Sequence, residues 1–265
     1  MLKRTFALLL SIAAVSSMQL AVLCDEADSV GRQEIRLDTP GDWCKEGQKP
    51  IIDVQGGVYS LDRSVHLFCT HTIKVRPGKK YSFFVEMRTD DKIESHVNAA
   101  FVVCTELRKP IPAMRYLAAS DSMTQLAAPA AENQNFIIVR NNPKWLELFK
   151  NGYKAVAFGA KEDFGDLPNE KISTKITGIE PDGDNLKVSF EKCIFEEFPA
   201  GTKVRLHRIG SFYKPIESAP PQKEWGQIGG AIDIPANAEY FFPCVVFYTN
   251  KGQFVQLRNF RLIVE

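Results

Sequence analysis

A strict alternation of apolar and polar side chains recurs along this chain and limits its fold more than any other feature. In Tyr81-Ser82-Phe83-Phe84-Val85-Glu86-Met87-Arg88, the residues Tyr81, Phe83, Val85 and Met87 share one side. Leu186, Val188 and Phe190 alternate with Lys187, Ser189 and Glu191, and Val204 and Leu206 with Lys203, Arg205 and His207. Phe260, Leu262 and Val264 alternate with Arg261 and Ile263. A period of two puts successive side chains on opposite faces of a pleated strand, so each run predicts a half-buried strand. Turn-forming residues separate the runs: Pro77-Gly78, Pro181-Asp182-Gly183-Asp184, Pro199-Ala200-Gly201 and Asn250-Lys251-Gly252. Each suits a hairpin-type connection. Strands at this spacing, with no helical pattern between them, predict an all-β antiparallel β-sandwich or jelly roll.

Residues 108–135 depart from the pattern. They hold Pro110, Pro112 and Pro129 and the pairs Ala118-Ala119 and Ala127-Ala128. They are expected to form one long insertion or lid, with a short helix around residues 120–126.

The first 24 residues read as a cleavable signal segment. Lys3 and Arg4 give a positive start, residues 6–15 are mostly apolar, and Ser16 and Ser17 precede a second apolar patch at residues 20–23. Cleavage after Ser17 or after Cys24 would suit the small residues there. An uncleaved leader would act as a membrane anchor. Ala21-Val22-Leu23-Cys24 is similar to a bacterial lipobox, in which Cys24 would carry lipid, although Leu23 fits that position poorly. The expectation is export, extracellular or periplasmic, with residues 25–265 as a single sandwich domain.

Charge excludes some partners. The chain carries 33 Lys and Arg against 32 Asp and Glu, and loss of Lys3 and Arg4 with the leader leaves 31 against 32. No basic field is present to hold nucleic acid. No polybasic segment draws it to an anionic membrane, so membrane contact would come only through an uncleaved leader or a lipidated Cys24. Eighteen Phe indicate a filled core. Of the six cysteines, Cys69, Cys104, Cys193 and Cys244 lie in apolar runs and are expected to be buried thiols, while export would also permit a disulfide.

Two stretches carry a family resemblance. His71-Thr72-Ile73-Lys74-Val75-Arg76-Pro77-Gly78-Lys79-Lys80-Tyr81-Ser82-Phe83 resembles the strand, Pro-Gly, Tyr, strand signature of jelly-roll carbohydrate-binding modules with the galactose-binding-like fold. Residues 225–265, with a Trp entering a strand and Asn259-Phe260-Arg261-Leu262-Ile263-Val264 closing it, are similar to the end of those modules. Gly201-Thr202-Lys203-Val204-Arg205-Leu206-His207 followed by Tyr213 resembles exported proteins of polysaccharide-degrading bacteria. The resemblance covers about half of the mature chain and implies a core role for Tyr81 and a carbohydrate or polysaccharide partner.

A sugar site needs an apolar ring to cover the C–H face of a pyranose and planar polar groups for its hydroxyls. Trp145, Tyr153 and Tyr213 are the candidate rings, with Tyr116 bordering the insertion, and core or rim packing is the alternative for each. Trp43 and Trp225, which introduce strands, are expected in the core. Arg205 and His207 share the polar side of one strand and Arg140 ends another, so these could meet a polar ligand or face water. Asp163, Asp166 and Asn169 recur every three residues. Their oxygens could bind a structural calcium, or could cap turns. His66, Cys69 and His71 do not make a zinc set, because His66 points away from the other two on a strand.

The chain lacks G-x-S-x-G, H-E-x-x-H and a phosphate loop. Glu86, Glu191, Asp163 and Asp166 could in principle supply the two carboxylates of a glycosidase. The sequence therefore favours an exported, non-catalytic carbohydrate-binding protein over a sandwich-fold glycosidase or lyase, or a structural or adhesive surface protein.

Overall fold

The structure is a computed structural model that describes residues 21–23, 32–39, 41–45, 56–61, 65–92, 96–209, 212–235, 237–248 and 253–265. Residues 1–20 and 24, which carry most of the expected leader, lie outside the described residues. In chain order the first strands are β1 (Ala21–Leu23), β2 (Gln33–Arg36), β3 (Trp43–Lys45), β4 (Tyr59–Leu61), β5 (Val65–Cys69), β6 (His71–Lys74), β7 (Tyr81–Arg88) and β8 (Val97–Cys104). Then come β9 (Thr124–Gln125), β10 (Phe136–Arg140), β11 (Tyr153–Phe158), β12 (Ile176–Asp182), β13 (Asn185–Phe190) and β14 (Lys203–Arg208). The last are β15 (Lys214–Ala219), β16 (Gly226–Ala231), β17 (Tyr240–Phe247) and β18 (Val255–Val264). Among the described residues, helix is limited to a 3-10 turn at Ala113–Arg115 and to α1 (Lys144–Lys150). Apart from β1 against β6, the strands pair antiparallel, which is the all-β architecture that the alternation predicts.

Two compact units divide the chain. Unit 1 is Met1–Pro110, Tyr213–Ile234 and Ala238–Glu265; unit 2 is Ile111–Phe212 with Pro235–Asn237. The sequence suggested one domain with an insertion over residues 108–135; here residues 111–135 belong to a larger unit with its own core. Alternation does not mark such a boundary, since strands of both units share the same period. No helix forms over residues 120–126. Thr124 and Gln125 pair instead with Val204 and Lys203, and Ser122 is tied by its hydroxyl to Ala119 and Leu206.

In unit 1, β17 is the centre of one sheet. β8 runs along it from Tyr240 to Phe247, β5 and β6 share its other side, β15 extends from β8, and β3 lies beyond β5. The second sheet is β16-β7-β18, with β2 and β4 sharing the far side of β18. Rings fill the space between the sheets. Trp43 of β3 meets Phe260 of β18 at 4.5 Å and Phe83 of β7 at 6.0 Å between centroids, and Tyr81 meets Phe241 at 5.1 Å. Trp43 is fully buried as expected, and its indole N–H donates to the Leu37 carbonyl at 2.7 Å. Such ring pairs contribute about 0.5–1.5 kcal/mol each beyond the area they bury.

The Pro77-Gly78 turn carries the chain from β6 to β7, which lie in different sheets, so it is a corner and not a hairpin. Tyr81 is buried at that corner, where its hydroxyl accepts from Arg76 N–H at 2.9 Å and donates to the Lys74 carbonyl at 3.2 Å. Pro181 to Asp184 does close a hairpin, with Asp182 opposite Asn185. The turn at residues 250–252 lies outside the described residues.

Unit 2 packs β10-β13-β12 and β11-β14-β9 around a core that includes Trp145, Val156, Phe158, Val188, Val204 and Leu206. Cys44, Cys69, Cys104 and Cys244 are buried; burial pushes the Cys104 thiol up to about 12, and the Cys69 and Cys244 thiols also upward, so these three stay protonated. Cys193 differs from the expectation, being exposed just after β13.

Strand β18 contains a bulge that sets its two faces. Arg258 pairs with Glu86 and Arg261 with Phe84, so β18 uses one residue more than β7 over this interval. Asn259 absorbs it at φ 51°, in the left-handed region where Asn and Gly are the residues tolerated. The extra residue lets Leu257 and Phe260 both point inward although three positions apart. Asn259→Gly should therefore leave stability near that of the wild type. Asn259→Val should lower it by about 1–3 kcal/mol in urea unfolding; equal stability of the two variants would show that the bulge conformation is not required.

Candidate binding face

The side chains proposed from sequence fall in three places. Trp145 is fully buried in the unit 2 core, donating from its indole to the Ser122 carbonyl at 2.7 Å, so it is no exposed platform. The apolar i, i+3, i+4 face of α1 turns it inward. Tyr153 is half-buried against the same core. Tyr116 and Tyr213 are buried, Tyr213 in unit 1 with its ring edge-on to His66 at 6.3 Å. Arg140 is exposed at the end of β10, where its guanidinium donates to the Gln125 side-chain oxygen in the amide orientation that satisfies both.

Arg205, His207, Asp166 and Asn169 do come together, as a closed polar cluster inside unit 2. Arg205 and His207 share one side of β14, but loops cover that side and both are fully buried. Arg205 pairs with Asp166 Oδ2 at 2.9 Å, donates to the Lys161 carbonyl at 3.0 Å and lies over the Phe164 ring at 4.5 Å. Asp166 Oδ1 accepts from Lys161 N–H, and Oδ2 also accepts from the Asn169 amide at 2.8 Å. Burial raises the Asp166 pKa, but Asn169, the Lys161 N–H and Arg205 outweigh it and hold the group below its ordinary value. Asn169 Oδ1 accepts from Lys171 N–H, and Asp163 Oδ1 from Gly165 N–H at 3.0 Å. The oxygens named for calcium thus bond the loop's own donors, the turn-capping role. Among the described residues no group of three His, Cys, Asp or Glu is placed to hold a metal. Such a paired, saturated network fixes loops to a strand.

His207 completes the cluster. Its Nδ1 lies 2.7 Å from the Met114 carbonyl, which accepts, so Nδ1 carries the proton and Nε2 faces the Arg205 Nε–H at 3.4 Å. Burial first, and then the Arg205 charge, bring the His207 pKa down to about 4, against the pull of Met114 and Asp166.

A second cluster of aromatic, amide and guanidinium groups lies on the outward side of the second sheet of unit 1. There the polar half of the β7 alternation, Ser82, Phe84, Glu86 and Arg88, meets the outward residues of its neighbours. Gln256 and Ser60 continue the row of Arg88, while Arg258 and Gln227 flank Glu86. Arg36, Arg261, Phe84 and Gly229 form the next row, and Glu34, Ile263, Ser82 and Ala231 the last. Extending the β16 register sets Trp225 beside Arg88. Trp225 is half-buried on this face and not in the core, and two guanidiniums lie over its ring, Arg258 at 3.9 Å and Arg88 at 5.0 Å from the centroid.

Each guanidinium is held flat by a second contact. Arg88 Nε donates to Gln256 Oε1 at 2.6 Å, and the Gln256 amide donates to Ser60 at 3.3 Å. Arg258 Nε donates to Glu86 Oε2 at 2.7 Å. Arg261 donates to Gln227 Oε1 and lies over the Phe84 ring at 5.9 Å. Partial burial raises the Glu86 pKa, but hydrogen bonds from Asn259 and Arg258 and the charges of Arg258 and Arg261 prevail, and the carboxyl stays below its usual value. The Asn259 bond also ties the bulge to β7. Each cation–π contact contributes about 0.5–1 kcal/mol at such a site, so together they order the side chains more than they stabilise the fold.

The sequence held a signal for this face that rules about strand entry obscured. Trp225 sits among Lys223, Glu224, Gly226 and Gln227, with no apolar neighbour to draw it into a core. Phe84 is an aromatic on the polar side of its strand.

The His207 pair of values gives a pH test. The unfolded value is 6.5 and the folded one about 4, so between these the unfolded state binds the extra proton. The contribution is constant above pH 6.5 and is lost as pH falls from 6.5 to 4, by at most about 1.4 kcal/mol per pH unit. Urea unfolding across that window should show the decline, and His207→Gln should flatten it; an unchanged slope would remove His207 as its source. No protein-family model matches this chain, and no curated protein matches it.

Proposed function

We propose that unit 1 is a non-catalytic carbohydrate-binding module whose site is the outward face carrying Trp225, Arg88, Arg258, Arg261, Gln227 and Gln256. One observation carries this reading: an indole on an outward sheet face, with two guanidiniums laid over it and planar amides alongside. A sugar ring presents C–H groups to an aromatic and hydroxyls to planar donors and acceptors, and this face supplies both in fixed positions. The antiparallel sandwich and the Pro77-Gly78-Tyr81 corner agree with the resemblance to galactose-binding-like modules. A leader over residues 1–24 would put the face outside the cell. The absence of chemistry in the proposal rests on Glu86. Glycoside hydrolysis uses a carboxyl of raised pKa as acid, whereas Glu86 is ion-paired and held low.

Glycan-array screening and calorimetry on the full chain test the proposal. Trp225→Ala should weaken the detected glycan at least about tenfold while moving the melting temperature by no more than about 2 °C. Trp145→Ala should instead lower stability by about 3–5 kcal/mol through loss of core volume. Failure of every polysaccharide to bind, or binding indifferent to Trp225→Ala, would overturn the assignment. Sugar release abolished by Glu86→Gln would replace it with an enzymatic one.

A further inference from the structure

We infer that the ligand of this face is an acidic polysaccharide, whose carboxylate or sulfate groups are taken by Arg88 and Arg261. This rests on the carbohydrate-binding proposal and adds to it the charge of the ligand.

Charge pairing on the face is incomplete. Glu86 serves Arg258, and Glu34 and Asp38 both serve Arg36, at 3.4 and 3.6 Å. Arg88 and Arg261 take part in none of the ion pairs among the described residues. The acceptors they have are neutral amide oxygens, Gln256 Oε1 and Gln227 Oε1. Arg261 Nε is in addition buried with no partner among the described residues. A buried donor without an acceptor is unfavourable; Glu86 and Asp38 lie within the field of Arg261 without pairing with it, so its guanidinium, like that of Arg88, has no carboxylate in direct contact. The chain as a whole is close to neutral, so this local excess does not follow from a basic composition.

The geometry suits an extended polyanion. Arg88 and Phe84, the latter opposite Arg261, are four residues apart on β7, about 13 Å along the strand. Arg88 has its Nε engaged and its terminal nitrogens left for a ligand. A guanidinium presents those nitrogens as a fork that matches the two oxygens of a carboxylate or sulfate. Trp225 and Phe84 lie under the two guanidiniums and hold their forks in place for those groups. A neutral glycan would use the amides and leave both guanidiniums without a directly paired anion.

Calorimetry of the full chain with polygalacturonate and dextran sulfate, against neutral galactan and dextran, decides the matter. Polygalacturonate alone binding assigns carboxylate, and dextran sulfate alone assigns sulfate; either supports the inference. Affinity for the acidic glycan should fall about tenfold or more between 50 mM and 500 mM salt, as screening predicts. Arg88→Gln and Arg261→Gln, which remove charge but keep planar amides, should each weaken it about tenfold and reduce the salt dependence. Lys175→Gln, on an exposed residue of unit 2, should change nothing. Salt dependence of the unaltered chain provides a reading should a variant fail to fold. Galactan or dextran binding as tightly as the acidic glycans, still lost in Trp225→Ala, would overturn the acidic ligand and leave the carbohydrate reading intact. Tighter binding of single-stranded DNA than of either acidic glycan would overturn both, as would no glycan binding at all.

Discussion

The pleat of strand β18 is the constraint on which unit 1 depends. Ten residues must hold Val255, Leu257, Phe260 and Leu262 in the core, and a strict period of two cannot do so from one end to the other. The bulge at Asn259 resets the phase once, and two results follow together. Phe260 reaches Trp43 and Tyr59 between the sheets, and Arg261 joins Arg258 on the outward side. The aromatic core and the arginine face are two outcomes of a single extra residue.

Arginine meets two fates in this protein. Arg205 is sealed beneath loops with Asp166, Lys161 and His207, every strong contact made inside the unit. Burying such a pair costs desolvation that only complete hydrogen bonding offsets, and its benefit is a fixed loop geometry. Arg88, Arg258 and Arg261 stay partly wet, laid over rings with part of their donor capacity unspent. Pairing is completed inside unit 2 and left partial on the outward sheet face of unit 1.

Alternation in the sequence showed the strands, the inward residues of β7 and β18, and the antiparallel all-β class. It did not show which polar sides would be covered. The ordinary period of β14 puts Arg205 and His207 on a polar side that could meet a ligand or face water, and the cover that buries them comes from residues 112–119 and 159–172, distant in sequence. Trp145 could be a platform or core ring by sequence, and a helix of seven residues turns its indole inward past the charged neighbours Lys144 and Glu147. Trp225 precedes a strand, the position expected in the core, yet it lies half-buried on the outward face beneath Arg88 and Arg258. In each case the tertiary partner decided exposure, and local pattern did not contain that partner.

The interruption of unit 1 by residues 111–212 governs the order in which the molecule can assemble. Unit 2 is almost one continuous segment, so its sheets can close as soon as β14 is available. The centre of the unit 1 sheet, β17, pairs with β5, β6 and β8, all of which precede the interruption. Contacts of such sequence separation form slowly and carry a large loop-closure cost. Until the last strands are made, the edges of β7 and β8 stand without β18 and β17, exposed to mispairing with other chains. The core of unit 2 can therefore be completed from a nearly continuous segment, whereas the sandwich needs strands from both sides of it in sequence.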